Sequence, residues 1–354
     1  MRWIDHALYQ ADLDGVIARL DDWSFLRKKT VLIVGATGMI GSFLVDLLMK
    51  QNDATDLQCH ILAVGRDAEK AKKRFSSYAA SPYFSFYAQD INAGIHIDKH
   101  ASYIIHAASN THPVAYATDP IGTILTNITG TNNLLAWAAE NGCERFLFAS
   151  SVEVYGENRG DVDAFDESYL GYLDSNTLRA GYPESKRVGE ALCQAYRKQC
   201  NLDIVIARFS RVYGPTMLER DSKAIAQFLK NGLAKQDIVL KSEGNQLYSY
   251  TYVSDAVFAL LLLLYTGEDG TAYNVADTSS DCTLRDLASL VASHSGTSVV
   301  FDLPSEVEKA GYSKATKAIL DAGKIQRLGY VAAYPIQKGI ERTLDILSDT
   351  GFFI

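Results

Sequence analysis

The chain has 354 residues, too many for one minimal domain and enough for one large or two medium domains with a sizeable core. Hydrophobic residues make up 47% and charged residues 21%, which excludes a charge-rich disordered chain. The formal net charge of -8 excludes a diffuse basic surface for nucleic acid or anionic lipid and leaves room only for a local basic pocket that takes phosphate.

The five cysteines, Cys59, Cys143, Cys193, Cys200 and Cys282, are widely spaced without a CxxC, so neither a disulfide framework nor a zinc site is expected and a reducing cytoplasm fits. The start, Met1-Arg-Trp-Ile-Asp-His6, lacks the apolar core of a secretory signal. The longest apolar run, Ala256 to Tyr265, is about half of the ~20 residues a membrane-spanning helix needs. No membrane partner is expected.

In chain order, residues 1–29 read as a helical extension with Leu8, Leu13, Ile17 and Leu20 roughly on one face. Val31 to Val34 is a β-branched run that ends at Gly35, and apolar residues from Met39 to Met49 recur at helical spacing. The alternation continues with a strand at Ile61 to Val64, a charged helix from Asp67 to Arg74, and a strand at Tyr103 to Ile105. A helix through Asn127 to Ala139, a strand at Arg145 to Ala149, a helix from Arg179 to Gln199 and a strand at Asp203 to Ala207 follow. Strands alternating with helices predict an α/β chain with a Rossmann-type doubly wound parallel sheet over 30–207. From 208 to 354 the order loosens into a smaller α+β substrate domain, with a helix near Ser222 to Asn231, a strand at Ile238 to Lys241, an apolar helix from Asp255 and a strand at Ala272 to Val275. A segment near 250–276 has the pattern to return to the first domain. Thr283 and Asp286 have the spacing of a helix cap.

Gly35-Ala-Thr-Gly38-Met-Ile-Gly41 sits where the first strand turns into a helix. In that context Gly35 makes a tight turn, Gly38 lets backbone approach a pyrophosphate at the helix N-terminus, and Gly41 allows close packing. At the end of the second strand, where a carboxylate would hold the ribose hydroxyl of NAD, stand Gly65 and Arg66. The missing acid and the adjacent cation lean toward NADP over NAD. Asp90, after the third strand, has the chemistry to accept from an adenine amino group.

Tyr182 and Lys186 are four residues apart on a helix and so share one face. A nearby ammonium favours phenolate, which would let Tyr182 take a proton from a sugar hydroxyl. Ser151 ends the fifth strand at the edge where doubly wound folds bind ligands, and Glu153, two residues on, is a second candidate base. No GxSxG, HxH or HExxH spacing occurs, so a serine hydrolase or a metal enzyme is not expected.

Together with His106-Ala-Ala108, Asn127-Ile-Thr-Gly-Thr131, Arg208-Phe-Ser-Arg-Val-Tyr-Gly-Pro215 and Tyr252-Val-Ser-Asp255, these motifs resemble the extended short-chain dehydrogenases/reductases of the NAD-dependent epimerase/dehydratase family, from about Thr30 onward. The stretches Arg179 to Arg187 and Asp119 to Asn127 are similar to those of UDP-glucuronate decarboxylases. The resemblance implies a cytoplasmic enzyme that oxidises a nucleotide sugar, a UDP-sugar foremost, transiently at C4 with a bound NAD(P), and a homodimer built on the helices near Asn127 and Arg187. It extends the cofactor set to Thr37, Met39, Ile40, Ile91, Ala107, Ala108, Ser109, Phe209 and Arg211, beside Tyr182 and Lys186. The substrate set becomes Thr111, Glu153, Arg179, Arg211 and Tyr248. Two positions depart from the decarboxylase pattern: Tyr248 stands where an Arg is expected before Tyr252-Val-Ser-Asp255, and Arg211 replaces an Asn. Val152 stands where 4,6-dehydratases carry the first of an acidic pair, which demotes dehydration. Decarboxylation ranks first, then 4-epimerisation, then dehydration. A non-catalytic dinucleotide sensor is the reading of another class, and the set Ser151, Tyr182 and Lys186 argues against it.

Overall fold

The computed structural model describes residues 1–109, 111, 118–302 and 316–352. In chain order it forms α1 (Ala7–Arg19), β1 (Thr30–Val34), α2 (Met39–Ala54), β2 (His60–Gly65), α3 (Ala68–Arg74), β3 (Phe84–Ala88), β4 (Tyr103–His106), α4 (Pro120–Leu125), α5 (Thr131–Asn141), β5 (Arg145–Ser151), α6 (Gly181–Cys200) and β6 (Ile204–Phe209). There follow β7 (Arg211–Tyr213), α7 (Ala224–Leu233), β8 (Ile238–Leu240), β9 (Leu247–Tyr248), β10 (Tyr250–Tyr252), α8 (Val253–Thr266), β11 (Ala272–Val275), β12 (Cys282–Thr283), α9 (Leu284–Ser295), β13 (Val299–Phe301), β14 (Lys317–Ala318), α10 (Gly323–Gln326) and α11 (Ile336–Thr350).

Seven strands pair in the order β11-β6-β5-β4-β1-β2-β3, every pair parallel. Parallel strands need crossovers, and the helices that supply them cover both faces, so the strands are apolar on both sides rather than alternating. Val31, Ile33, Ile61, Ala63, Ile105 and Leu147 face one core with α1, α2 and α8. Leu32, Val34, Leu62, Val64, Ile104 and Phe146 face another, closed by Leu134, Leu135, Trp137 and Cys193. The strand order reverses between β1 and β4, which opens a crevice beyond their carboxyl ends. The turns after β1, β4 and β5 all lie at that edge.

The chain after β6 contributes three small sheets, β10-β7, β12-β9-β14 and β13-β8. It also returns β11 to the main sheet beside β6. Thr283 and Asp286 form the expected capping box on α9. None of the described helices is long and apolar enough to cross a membrane; α8 is apolar because it is buried between the sheet, α1 and α2.

The first helix buries Leu13, and its C-cap Leu20, of the expected face and departs from it elsewhere. Its buried residues are Tyr9, Asp12, Leu13 and Val16, while Leu8 and Ile17 lie at the margin of the core. The reason is polar. Asp12 accepts hydrogen bonds from Tyr252 Oη at 2.6 Å and Arg342 Nε at 2.7 Å, so a carboxylate that hydropathy alone would turn outward is buried with its partners. Arg19 reaches Asp255 at 2.6 Å, and Asp255 also accepts from the backbone N–H groups of Ala333 and Tyr334 at 3.0 Å each.

Candidate active site

The turn after β1 is shaped by close backbone contact. Gly35 has φ +88°, and a Cβ there would lie 2.8 Å from the backbone of Ala107 and Ala108, so only glycine serves. Gly35 and Ala36 both donate to the Val64 carbonyl, at 3.0 and 3.1 Å, which ties the turn to the neighbouring strand. A Cβ at Gly41 would come within 2.8 Å of Ala36 Cα; its absence lets α2 begin hard against the turn. Gly38 is the N-cap of α2 and offers no side-chain cap, so the first N–H groups of the helix, at Met39, Ile40 and Gly41, carry the helix's positive end without an intrahelical acceptor. This cradle fits a diphosphate.

Thr37 lies beside Gly65, and Thr216 Oγ1 donates to the Met39 carbonyl at 2.9 Å, bringing the loop after β7 over the start of α2. Arg66 is exposed, with no hydrogen bond or ion pair among the described residues. Lys70, one turn into α3, has its pKa lowered by partial burial and by the neighbouring Arg220 guanidinium. Asp90 is exposed and caps the turn of Ile91–Ala93 by accepting from Asn92 N at 3.0 Å. Ile91 is buried, as is Phe209 at the end of β6. Thr111 is exposed.

At the end of β5 the sheet meets α6. Lys186 Nζ donates to the Ala149 carbonyl at 2.8 Å and sits 4.8 Å from the Phe148 ring centre. Burial lowers its pKa to about 8, with the Glu190 carboxylate opposing. Tyr182 is buried one turn earlier and takes a hydrogen bond with Ser151. Its pKa is raised, first by burial and then by the Glu153 carboxylate, against Ser151 and Arg179. This corrects the expectation from spacing: Lys186 does not pull the phenol down in this arrangement, because the Ala149 carbonyl takes its ammonium. Glu153 is likewise not an open base. Both of its oxygens lie 2.7 Å from one terminal nitrogen of Arg179. The Arg211 guanidinium lies 3.4 Å over the Tyr248 ring, and Glu153 and Arg179 also act on the Tyr248 phenol. Ser151, Glu153, Arg179, Tyr182, Arg211 and Tyr248 thus form one cluster at the carboxyl edge of β5.

A second group joins Ser109, expected in the cofactor set, to residues known from the sequence only as parts of motifs. Ser109 Oγ donates to Asn127 Oδ1 at 2.7 Å, Asn127 Nδ2 to Ser185 Oγ at 2.9 Å, and Ser185 Oγ to the Tyr182 carbonyl at 2.8 Å. This relay ties the turn after β4 to the helix that carries Tyr182. Asn127 stands in a π-helical turn, Thr126–Gly130, a widening that recurs at functional sites. His106 bonds Thr131 Oγ1 at 2.9 Å, and burial together with Lys186 lowers its pKa to about 3, so its ring is neutral. The available signal was the run of Asn and Thr in a stretch otherwise patterned for a buried helix.

The Lys186 environment predicts a pH-dependent stability. Its ordinary pKa is 10.5 and its folded value about 8, so between those limits the unfolded chain binds a proton that the folded chain does not, and stability rises with pH. Relative to Lys186→Met, wild-type unfolding free energy is expected to rise by about 3 kcal/mol from pH 8 to 10.5. Urea unfolding of both proteins across that range measures it, and a constant difference would contradict the assignment.

Comparison with known proteins agrees with this geometry. Residues 31–276 match the model of the NAD dependent epimerase/dehydratase family. UDP-glucuronic acid decarboxylase 2 of Arabidopsis thaliana is 31% identical over 268 residues, 75% of this chain and 57% of that protein. UDP-glucuronic acid decarboxylase 6 of the same plant is 32% identical over 246 residues, 70% of this chain and 69% of that one. The chain therefore spans less than two thirds of some of the curated relatives it matches. Among solved structures, dTDP-glucose 4,6-dehydratase from Streptomyces venezuelae, with NAD and TYD bound, superposes with TM-score 0.77 at 25% identity, covering 90% of this chain and 97% of that chain. UDP-glucuronic acid 4-epimerase from Bacillus cereus gives TM-score 0.77 at 24% identity, covering 90% and 99%; that likeness speaks to the fold. With the glycine cradle and the Tyr182 helix in the places such a match requires, the chain belongs to the NAD dependent epimerase/dehydratase family.

Proposed function

We propose that this protein is a nucleotide-sugar enzyme that oxidises its substrate transiently at C4 with a nicotinamide cofactor and decarboxylates a UDP-glucuronate-type sugar. The observation that carries the reading is the junction of Ser151, Tyr182 and Lys186 beside the glycine cradle. The bound nicotinamide would accept a hydride from C4 and later return it. Tyr182 takes the proton of the C4 hydroxyl, Ser151 holds that hydroxyl by a shared hydrogen bond, and Lys186 anchors the helix on which Tyr182 stands. Burial raises the Tyr182 pKa, so the phenol acts as a base only after its own proton has left to solvent, a loss that the positive charge of a bound oxidised nicotinamide would favour. A ketone at C4 is β to a C5 carboxylate, so the bond from C5 to the carboxyl carbon breaks, its electrons enter an enolate, and C5 regains a proton. No acid is needed at Val152, since no hydroxyl leaves. The residues after 208 serve mainly the substrate, and the free cysteines among the described residues support a cytoplasmic location.

Incubation with UDP-glucuronate is expected to give a product lighter by about 44 mass units, the mass of carbon dioxide, and Tyr182→Phe to lower turnover at least ~10²-fold while retaining the dinucleotide. Mass spectrometry checks both; loss of water from a neutral hexose nucleotide would put dehydration first, and an unchanged mass with a new retention time would put epimerisation first.

For the cofactor, Arg66 beside Gly65 and the closeness of the two cations Lys70 and Arg220 favour NADP over NAD, since a charge-assisted contact to a 2'-phosphate needs such cations. Arg66→Ala is expected to weaken NADP binding more than NAD binding in a calorimetric titration; release of NAD alone from the denatured, freshly purified protein would overturn the preference.

A homodimer is supported by apolar residues left exposed on the helices named for it: Ile121 and Leu125 on α4, Leu178 just before α6, and Val188 on α6. Light scattering is expected to give the mass of two chains, and Ile121→Glu with Val188→Glu the mass of one. A wild-type monomer at micromolar concentration would refute it.

A further inference from the structure

Among the described residues of the candidate site are two guanidinium groups, Arg179 and Arg211, and the Glu153 carboxylate, and the two cations are not equivalently engaged. Arg179 is committed to Glu153, at 2.7 Å from both carboxylate oxygens. Among the described residues Arg211 is paired with no carboxylate. Its side chain makes no hydrogen bond or ion pair among the described residues, and one of its terminal nitrogens is buried without an acceptor there. What holds it is the Tyr248 ring, 3.4 Å beneath. Stacking on a ring face fixes the plane of a guanidinium but satisfies none of its N–H donors, which lie in that plane and point past the ring edge.

A buried arginine donor without an acceptor is a costly feature unless a ligand supplies one. The backbone around it is firm: Arg211 opens β7, its N–H bonds the Ser249 carbonyl at 3.1 Å, and β7 pairs with β10 through Arg211 and Tyr250. Tyr248 is itself fixed by pairing of β9 with both β12 and β14. The two residues therefore present a rigid cation, with two elements devoted to its placement.

Its location decides what it reads. Tyr248 is under the electrostatic influence of Glu153 and Arg179 as well as Arg211, and Glu153 and Arg179 in turn act on Tyr182. The platform is thus continuous with the atom that takes the C4 proton. On a hexose ring the substituent of C5 neighbours C4, whereas the diphosphate on C1 lies across the ring. We infer that Arg211, carried on the Tyr248 ring, is the specificity-determining residue that binds a carboxylate on C5 of the sugar, the second anion that the two guanidinium groups lack. The inference rests on the nucleotide-sugar reading above and adds which charge on the sugar is recognised and by which residue. It also accounts for Tyr248 at a position where an arginine was expected: the cation arrives from β7, and the tyrosine supports it.

The test is calorimetric titration of the full chain and of Arg211→Met with three probes, UDP, UDP-glucose and UDP-glucuronate, with Arg211→Lys as a second variant that keeps the charge but loses the planar fork. Wild type is expected to bind UDP-glucuronate at least about tenfold tighter than UDP-glucose. Arg211→Met should lose about 10- to 100-fold for UDP-glucuronate and stay within about threefold for UDP and UDP-glucose, with Arg211→Lys between. Circular dichroism and thermal melts establish that each variant is folded; if Arg211→Met is not, the same selective loss is read from Arg211→Lys. Equal loss for all three probes would put the guanidinium on the diphosphate and overturn the inference, as would affinities unchanged by either substitution. Should wild type bind none of the probes, the nucleotide-sugar reading itself falls and the inference with it. That outcome is distinct from a wild type that binds and converts UDP-glucuronate while Arg211→Met matches it.

Discussion

Lys186 places its ammonium on the carbonyl of Ala149, 2.8 Å away, with the Phe148 ring beneath it, and this buried contact sets the distance between α6 and β5. Ser151 is two residues further along that strand and Tyr182 one turn earlier on that helix. Any slackening between strand and helix would separate the hydroxyl from the phenol. An ammonium in such a place is disfavoured by desolvation, as its lowered pKa records, so the chain tolerates a destabilising charge where Ser151 and Tyr182 are brought together. The relay through Ser109, Asn127 and Ser185 then adds the turn after β4 to the same frame.

What was legible in the sequence was local. The glycine turn is written within seven residues, the tyrosine and lysine within five, and the parallel sheet in runs of apolar residues whose two buried faces leave no other reading. The capping box at Thr283 belongs to the same class. What was not legible depended on partners far away in the chain. Nothing near Glu153 indicates that Arg179 would bind it, and nothing near Arg211 indicates Tyr248 as its platform. The spacing of Tyr182 and Lys186 established a common helix face but not where the ammonium would go, which is why the sign of the tyrosine shift was misjudged. The first helix failed for a related reason: hydropathy treats Asp12 as a surface residue, and only Tyr252 and Arg342 make its burial affordable.

The division of charge across the site follows from these pairings. Glu153 and Arg179 pair next to Tyr182 and, after burial, act on its phenol in opposite directions, with Ser151 on the side of Arg179. The Arg211 guanidinium lies over the Tyr248 ring and makes no ion pair among the described residues. A site arranged this way can keep the Tyr182 phenol in an apolar environment and still present a cation, because the guanidinium of Arg211 is carried by β7 and the phenol by α6.

The pairing of Asp12 with Arg342 joins residues 330 positions apart, and Tyr252 completes it from the middle of the chain. Synthesis delivers Asp12 330 residues before Arg342, so the buried carboxylate lacks that guanidinium until the later segment has been made. Until then Asp12 is better hydrated than buried, so α1 cannot dock in its final place, and the outer surface of α8 that it covers stays open to chaperones and to other nascent chains. Contacts of such sequence separation also slow the last step of folding. Docking of α1 therefore waits on a segment made 330 residues later.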